Sequence, residues 1–423
     1  MMKVGHARRC LTPQFEGFYL IGYRDPSRME PASGVHDDIW ANALMLEDEA
    51  GTRLFLFSAD FLEFEEAMAD DVKALLAAEF GLAPDLVLLC ATHDHSSVVG
   101  YHRSWYTGKF DQRYYDFLVD QIRACVGECE ASLAPAVART GSQVVEGWFG
   151  NRNHKGVLAD NLVTRIEFVP AGADGKALPD AAPTCGIVSW ATHSTVLPGS
   201  NTWLTADLAG NVSKGLADQL GYAPAMVVGA AGDCSNRCYR LSQDFDELDR
   251  EVAALVPAIA AIPANEPLEL GAIRCQTLFH TIHHDMSFVH ADVQAEKDGL
   301  LAELAAGCDA ARTEHIATRM IDLDRRLAVH EFHLDVKGWV IDLGGLQVLA
   351  FPGELGSAFG LQLRAACPKP TLMAGYCNGY YEYFLPAAEY GLSFETQGSP
   401  IPKGEPEKVI AKFIQASELL ARG

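Results

Sequence analysis

Four times along this chain a short apolar run of strand length stops abruptly at a polar or small-residue cluster. That pattern, more than any other feature, limits the fold. Apolar runs of this length are buried strands, and here they alternate with segments of helical spacing. In α/β sheets the carboxyl ends of strands form the ligand crevice, so the clusters are where chemistry is expected. The fold class read from this is α/β (mixed α+β), with buried β-sheets flanked by helices.

The elements follow from periodicity. Arg53–Ser58, Asp85–Ala91, Cys185–Ala191 and Pro224–Gly229 read as buried strands. Asp60–Phe80, Tyr114–Glu130, Asp292–Ala306, Thr313–Val329 and Glu405–Arg422 read as helices. Val340–Leu343 and Leu346–Phe351 flank Gly344-Gly345, a hairpin signal. Val169–Thr184 is rich in Pro and Gly and reads as a surface loop. No repeat, long linker or charge block divides the chain, so residues 1–423 are expected to form a single domain.

The clusters themselves carry the candidate functional residues. Thr92-His93-Asp94-His95 ends the first strand, and residues two apart in an extended segment point the same way. Both imidazoles then reach one site, as Zn²⁺ ligands or as a solvent-facing pair, with Asp94 beside the site or facing solvent. The second half of a metallo-β-lactamase-like H-x-H-x-D-H is absent, because positions 97 and 98 are Ser97 and Val98. The grammar of strand and then Thr-His recurs at Thr192-His193, which suggests that two strand tips place histidines in one crevice. The third cluster, Gly229-Ala230-Ala231-Gly232-Asp233-Cys234-Ser235, lets backbone come close to a ligand or a helix. Ser235 is a nucleophile or hydrogen-bond donor there, without the G-x-S-x-G elbow of an α/β-hydrolase. Glu354, after Pro352-Gly353, either stabilises a helix N-terminus or completes a His/His/Glu metal set. A further segment packs Tyr376, Tyr380, Tyr381 and Tyr383 into eight positions, for packing, hydrogen bonding or phenolate ligation. His280, His283, His284 and His290 read as sheet-face or surface residues.

Taken in order, ATHDHSS, SWATHS, GDCSNR, FPGEL and NGYYEY resemble the motifs of the neutral/alkaline non-lysosomal ceramidase family. The family pattern runs A-T-H-T-H-S-G, S-W-F-x-x-H, G-D-V-S-P-N, L-P-G-E-F and N-x-Y-x-x-Y. Echoes at Ile21-Gly22-Tyr23 and His284-Asp285-Met286-Ser287 extend the resemblance over nearly the whole chain. The second motif is one residue shorter here, Ser189 to His193. The resemblance implies a Zn²⁺ held by His93, His193, Glu354 and Tyr383, with Tyr380 the other candidate tyrosine. It places His95, Ser235 and Arg152 as catalytic groups, and Arg152, Tyr380 and Asn378 as substrate-binding ones. The implied reaction is zinc-dependent hydrolysis of a linear amide, of an N-acyl lipid as in sphingolipid metabolism or of a smaller amide. An ester, lactone or glycoside-type substrate, and a metal-binding homologue without turnover, are the alternatives. The family's C-terminal immunoglobulin-like domain is not expected in 1–423.

Charge and composition set limits. A net charge of −23 argues against nucleic acid and anionic lipid surfaces. The N-terminus lacks a signal-peptide apolar run, and no stretch of about 20 apolar residues marks a transmembrane segment. With 11 cysteines, an odd number, the plain expectation is a reduced, cytoplasmic protein that acts on a small-molecule or lipid-like amide, with homo-oligomerisation open.

Overall fold

Side chains alternate across a strand, and the strand Arg53–Ala59 is apolar on both faces. Phe55 and Phe57 enter one core, and Leu54 and Leu56 enter another. A sheet buried on both sides follows. The computed structural model describes all residues except 104, 106, 158, 398 and 423, and the backbone alone at 288, 311, 314, 318 and 322.

Among the described residues, nine strands form the main sheet. Its centre is antiparallel, with Lys3–Cys10 between Trp40–Glu47 and Ala134–Val144. Each flank ends in a parallel pair. Arg53–Ala59 runs alongside Val87–Ala91 on one side, and Cys185–Trp190 alongside Ala225–Val228 on the other. Leu162–Pro170 joins the second flank to the centre. A second sheet orders Leu270–Asp285, Glu331–Gly344, Gln347–Ala350 and Thr371–Ala374, with the expected hairpin at Gly344-Gly345.

The two sheets face each other across a core of Leu44, Leu56, Leu88 and Val227 on one side and Trp339, Ile341 and Val348 on the other. The outer face of the main sheet is covered by the helices Glu66–Phe80, Gln112–Ser132, Asp207–Leu220 and Phe245–Ala260. Ser357–Ala366 and Glu405–Arg422 cover the outer face of the second sheet through Phe359, Leu363, Val409 and Phe413. The mixed α/β expectation is therefore met, as helices, sheet, sheet, helices. Ser287–Ala306 and Ala310–Ala328 form a helical pair between two strands of the second sheet, packed through Val289, Val293 and Leu323. Among the described residues, no helix is long and apolar enough to cross a membrane.

One element departs from its expected bounds. The helix read over Asp60–Phe80 starts at Glu66. Asp60 spends a carboxylate oxygen on the Trp40 N–H at 2.9 Å, and the carbonyls of Phe61 and Leu62 accept from Asp94 N and from the His93 ring. Those bonds hold residues 60–65 as a platform rather than a helical turn.

The main sheet curls until its flanks meet. Ser58 Oγ donates to the Met226 carbonyl at 2.5 Å, and Asp94 pairs with Ser194 as an isolated bridge. Gly375, just after the strand Thr371–Ala374, donates its N–H to the Val228 carbonyl at 2.8 Å. The carboxyl ends of parallel strands from both sheets thus converge on one place.

Candidate metal centre

Three imidazoles meet at that convergence. The Nδ1 of His93 lies 2.8 Å from the Leu62 carbonyl, that of His95 2.9 Å from the Gly22 carbonyl, and that of His193 2.9 Å from the Cys234 carbonyl. A carbonyl oxygen only accepts, so each Nδ1 carries the proton and each Nε2 presents a lone pair. The ring of His93 stands nearly perpendicular to that of His95 at 4.6 Å and to that of His193 at 4.5 Å. One ligand nitrogen from each histidine falls within 4.8 Å of the others. The Nε2 atoms of His93 and His95 are buried and have no hydrogen-bond partner among the described residues. Burial holds all three imidazoles well below their usual pKa, so they are neutral, the form that binds metal.

Local backbone features make this possible. His93 has φ 58°, in the left-handed region, which turns its ring back onto Leu62 after the strand ends. Gly22 also has a positive φ, 113°, and a Cβ built on it would lie 2.5 Å from the His95 Cα. Only glycine lets that carbonyl reach the His95 ring.

Glu354 closes the fourth side. Its Oε1 is 3.6 Å from His93 Nε2, and its Oε2 is 3.0 Å from His193 Nε2, all fully buried. The helix-terminus reading of Glu354 does not hold. The helix begins at Ser357, and Asp233 accepts from the Ser357 N–H at 2.7 Å. Tyr376 donates to Glu354 Oε2 at 3.2 Å, and Tyr380 donates to Oε1. Tyr383 pairs through its backbone with Glu354 and lies under the Arg152 guanidinium, 5.5 Å from ring centroid to Cζ. Tyr376, its ring 4.1 Å from that of His93 and tilted by 30°, has no role of its own among the four tyrosines of the sequence expectation. Its signal was its position, the second residue after a strand, matching His93.

Arg152 is buried and committed on three sides. It donates to His193 Nε2 at 2.8 Å, to the Gly232 carbonyl at 2.8 Å and to Glu395 at 2.7 Å. Because guanidinium only donates, the first bond independently requires a lone pair on His193 Nε2. Glu395 carried no sequence signal, and Asp233, though inside the GDCSNR motif, was given no role; each acts by holding Arg152 or its neighbours.

Two expected roles change, and one of two alternatives falls away for a third residue. Asn378 is not free to bind substrate. Its Oδ1 accepts from Leu89 N at 2.8 Å and its Nδ2 donates to the Val87 carbonyl at 2.9 Å, which ties down the edge strand. Ser235 is 1% exposed, and its Oγ accepts from the Arg237 N–H, so it braces a turn. Asp94 does not face solvent. It is fully buried, with Oδ1 on the Ser96 N–H and its carboxyl pushed well above the usual range by burial.

A cleft of about 660 Å³ opens onto this centre. His95, Tyr380 and Tyr383 form part of its wall, while His93, His193, Glu354 and Arg152 lie behind it. The lining is heavily charged, including Arg24, Glu65, Arg326 and Glu382, and its aromatic residues are Trp105, Phe394 and the two tyrosines. The histidines at 280, 283 and 284 sit on the Leu270–Asp285 strand, away from the centre. His280 pairs with Glu405, and the Pro400 carbonyl lies against His284.

The sequence of residues 2–223 matches the family described as neutral/alkaline non-lysosomal ceramidase, N-terminal. Two solved structures share the fold. One, described as a ceramidase complexed with C2, superposes with a TM-score of 0.75 at 18% identity, covering 100% of this chain and 75% of that one. The other, neutral ceramidase from Pseudomonas aeruginosa, gives the same TM-score and identity over 99% of this chain and 74% of that one. No curated protein matches by sequence.

Proposed function

The chain belongs to the neutral/alkaline non-lysosomal ceramidase family, and on that premise we propose that it is a zinc-dependent hydrolase of linear amide bonds. One observation carries the reading. Three buried imidazoles have their Nδ1–H groups tied to carbonyls, so their Nε2 lone pairs converge beside a buried carboxylate. Neutral imidazole nitrogens and a carboxylate are a borderline-to-hard donor set that suits Zn²⁺. The carbonyl partners fix each ring's tautomer and aim.

In this reading His93, His193 and Glu354 hold the metal, with Tyr383 as the fourth ligand beside the Arg152 cation. A zinc ion held there would supply Lewis-acid polarisation of the scissile carbonyl and lower the pKa of a bound water. His95 is the imidazole on the cleft wall, with its Nε2 unpartnered, so it is placed to carry a proton to the leaving amine. Arg152, fixed by Gly232 and Glu395 behind the cleft wall, supplies the positive charge that steadies negative charge on the substrate carbonyl oxygen. Tyr380, bonded to Glu354, lines the cleft and positions substrate. Ser235 has no part in these steps. The charged cleft favours an amide with polar groups over one with two long apolar chains.

Metal analysis and hydrolysis on one panel test this. The panel is ceramide, short N-acyl amides and the matching esters. Chelation should remove one zinc per chain together with amide hydrolysis, and zinc should restore both. Turnover of esters alone, or zinc bound without any turnover, overturns the proposal. His95→Ala should keep the zinc and lose turnover; loss of the zinc would make His95 a ligand instead of a proton carrier.

A further inference from the structure

Outside the imidazole cluster, the same cleft contains a second buried polar pair. His102 Nε2 lies 2.5 Å from Glu63 Oε1, and the two side chains are 8% and 1% exposed. Both residues line the cleft that His95, Tyr380 and Tyr383 line. The other carboxylate oxygen, Glu63 Oε2, is buried and has no hydrogen-bond partner among the described residues. Polar atoms buried to that degree normally find a donor, and an ionised oxygen left without one is costly.

The position of Glu63 is rigid and close to the chemistry. Its own carbonyl accepts from the buried Tyr101 hydroxyl at 2.7 Å. The residue before it, Leu62, supplies the carbonyl that aims His93. His102 holds Oε1; burial lowers the imidazole pKa, and the Glu63 carboxylate beside it more than offsets this and raises it. A carboxylate fixed on one oxygen and vacant on the other is an acceptor for one directed donor.

The surroundings select the charge of that donor. Five glutamates, Glu63, Glu65, Glu66, Glu382 and Glu395, line the cleft against three arginines, Arg24, Arg319 and Arg326, with Glu382 3.8 Å from Arg24 and Glu66 3.2 Å from Lys337. Arg319, also on its wall, grips Glu296 through two bonds of 2.7 and 2.9 Å. The chain as a whole carries −23. Such a field concentrates cations.

We propose that Glu63, braced by His102, is a specificity residue that receives a protonated amine, or an equivalent N–H or O–H donor, carried by the amide substrate near its scissile bond. This rests on the amide-hydrolase reading of the neighbouring centre. The amine can belong to either half of the substrate, because both halves flank the reacting carbonyl.

Three amides of matched length separate the possibilities in the full-length zinc-loaded protein. N-butanoyl-ethylenediamine carries the ammonium on the leaving half, 3-aminopropanoyl-propylamide carries it on the acyl half, and N-butanoyl-propylamine carries none. The expected result is that kcat/KM for one ammonium-bearing amide exceeds that for the uncharged amide by about 10- to 100-fold, the range of a hydrogen bond to a charged group. Glu63→Gln should collapse that ratio towards one, with zinc content and melting temperature reported alongside as controls for folding. Equal kcat/KM for all three amides in the wild type, or a ratio that survives Glu63→Gln, overturns the assignment. Calorimetric binding of the three compounds keeps the two readings distinguishable. If none is hydrolysed, the reaction class fails, and the Glu63 assignment then stands or falls on whether the ammonium compounds still bind more tightly.

Discussion

The chain spells Ala-Thr-His twice, at 91–93 and at 191–193, on opposite flanks of one sheet. Each triplet follows a strand from a parallel pair, and each histidine gives its Nδ1–H to a carbonyl. Yet the two tips are prepared differently. His93 sits in the left-handed region, leads on to a second histidine two residues later, and leaves its Nε2 without a partner. His193 leads on to Ser194-Thr195, and its Nε2 already accepts from Arg152. The same local sequence thus produces one Nε2 with no donor among the described residues and one that accepts from a cation. A metal bound through both would displace a hydrogen bond at His193 alone. The difference comes from the elements packed around each tip, not from the triplet.

The strongest test of that pairing removes each histidine in turn. His93→Ala and His193→Ala should both lose stoichiometric zinc and turnover, by metal analysis and amide hydrolysis. Retention of zinc by either variant breaks the equivalence of the two tips. Arg152→Met probes the asymmetry itself. It should lower kcat by about 10²- to 10³-fold, the cost of removing one donor to a developing oxyanion. Zinc affinity should hold or rise, because a competitor for His193 Nε2 is gone, and a fall in affinity would contradict the displacement argument. Gly22→Ala pushes the carbonyl off His95 and should cost about 10- to 100-fold in turnover, as loss of an orienting partner does. Asn378→Ala acts on the fold. Loss of its two bonds to the edge strand should lower stability by about 1–3 kcal/mol in a denaturant titration. A raised KM at unchanged stability would return Asn378 to substrate binding.

The smallest expected effect concerns pH. Protons compete with metal for Nε2, and burial depresses the imidazole pKa values, so the competitor is weakened. As pH falls, zinc should remain bound past about 6.5, where an ordinary imidazole would be half protonated. Half-release of zinc at or above that value, followed by a zinc-sensitive dye, would show that the imidazoles are not shielded.

Much of this arrangement was legible because strand tips announce themselves. An apolar run that stops at Thr-His or Pro-Gly-Glu marks a buried strand and a reason to end it, so the segments bearing His93, His193 and Glu354 could be grouped from sequence. The curl that brings the two flanks of the sheet together could not be read, because register and closure are set by pairings between residues as distant as Ser58 and Met226. The carbonyls of Gly22, Leu62 and Cys234 were equally hidden, since a backbone acceptor leaves no mark on residue type. Asp60–Glu65 has helical spacing but is held by bonds to Trp40 and Asp94 that lie outside any local window. Asn378 sat inside a motif-rich segment and drew a functional reading, whereas its carboxamide serves the neighbouring strand.

The centre draws a carbonyl from position 22, another from 62, histidines from 93, 95 and 193, and Glu354 and Tyr380 from near the other end. Contacts of such wide sequence separation form late in folding, after the loop-closure entropy between them has been met. A metal held by them would therefore act as a latch on the finished molecule, and it should slow unfolding far more than it speeds folding.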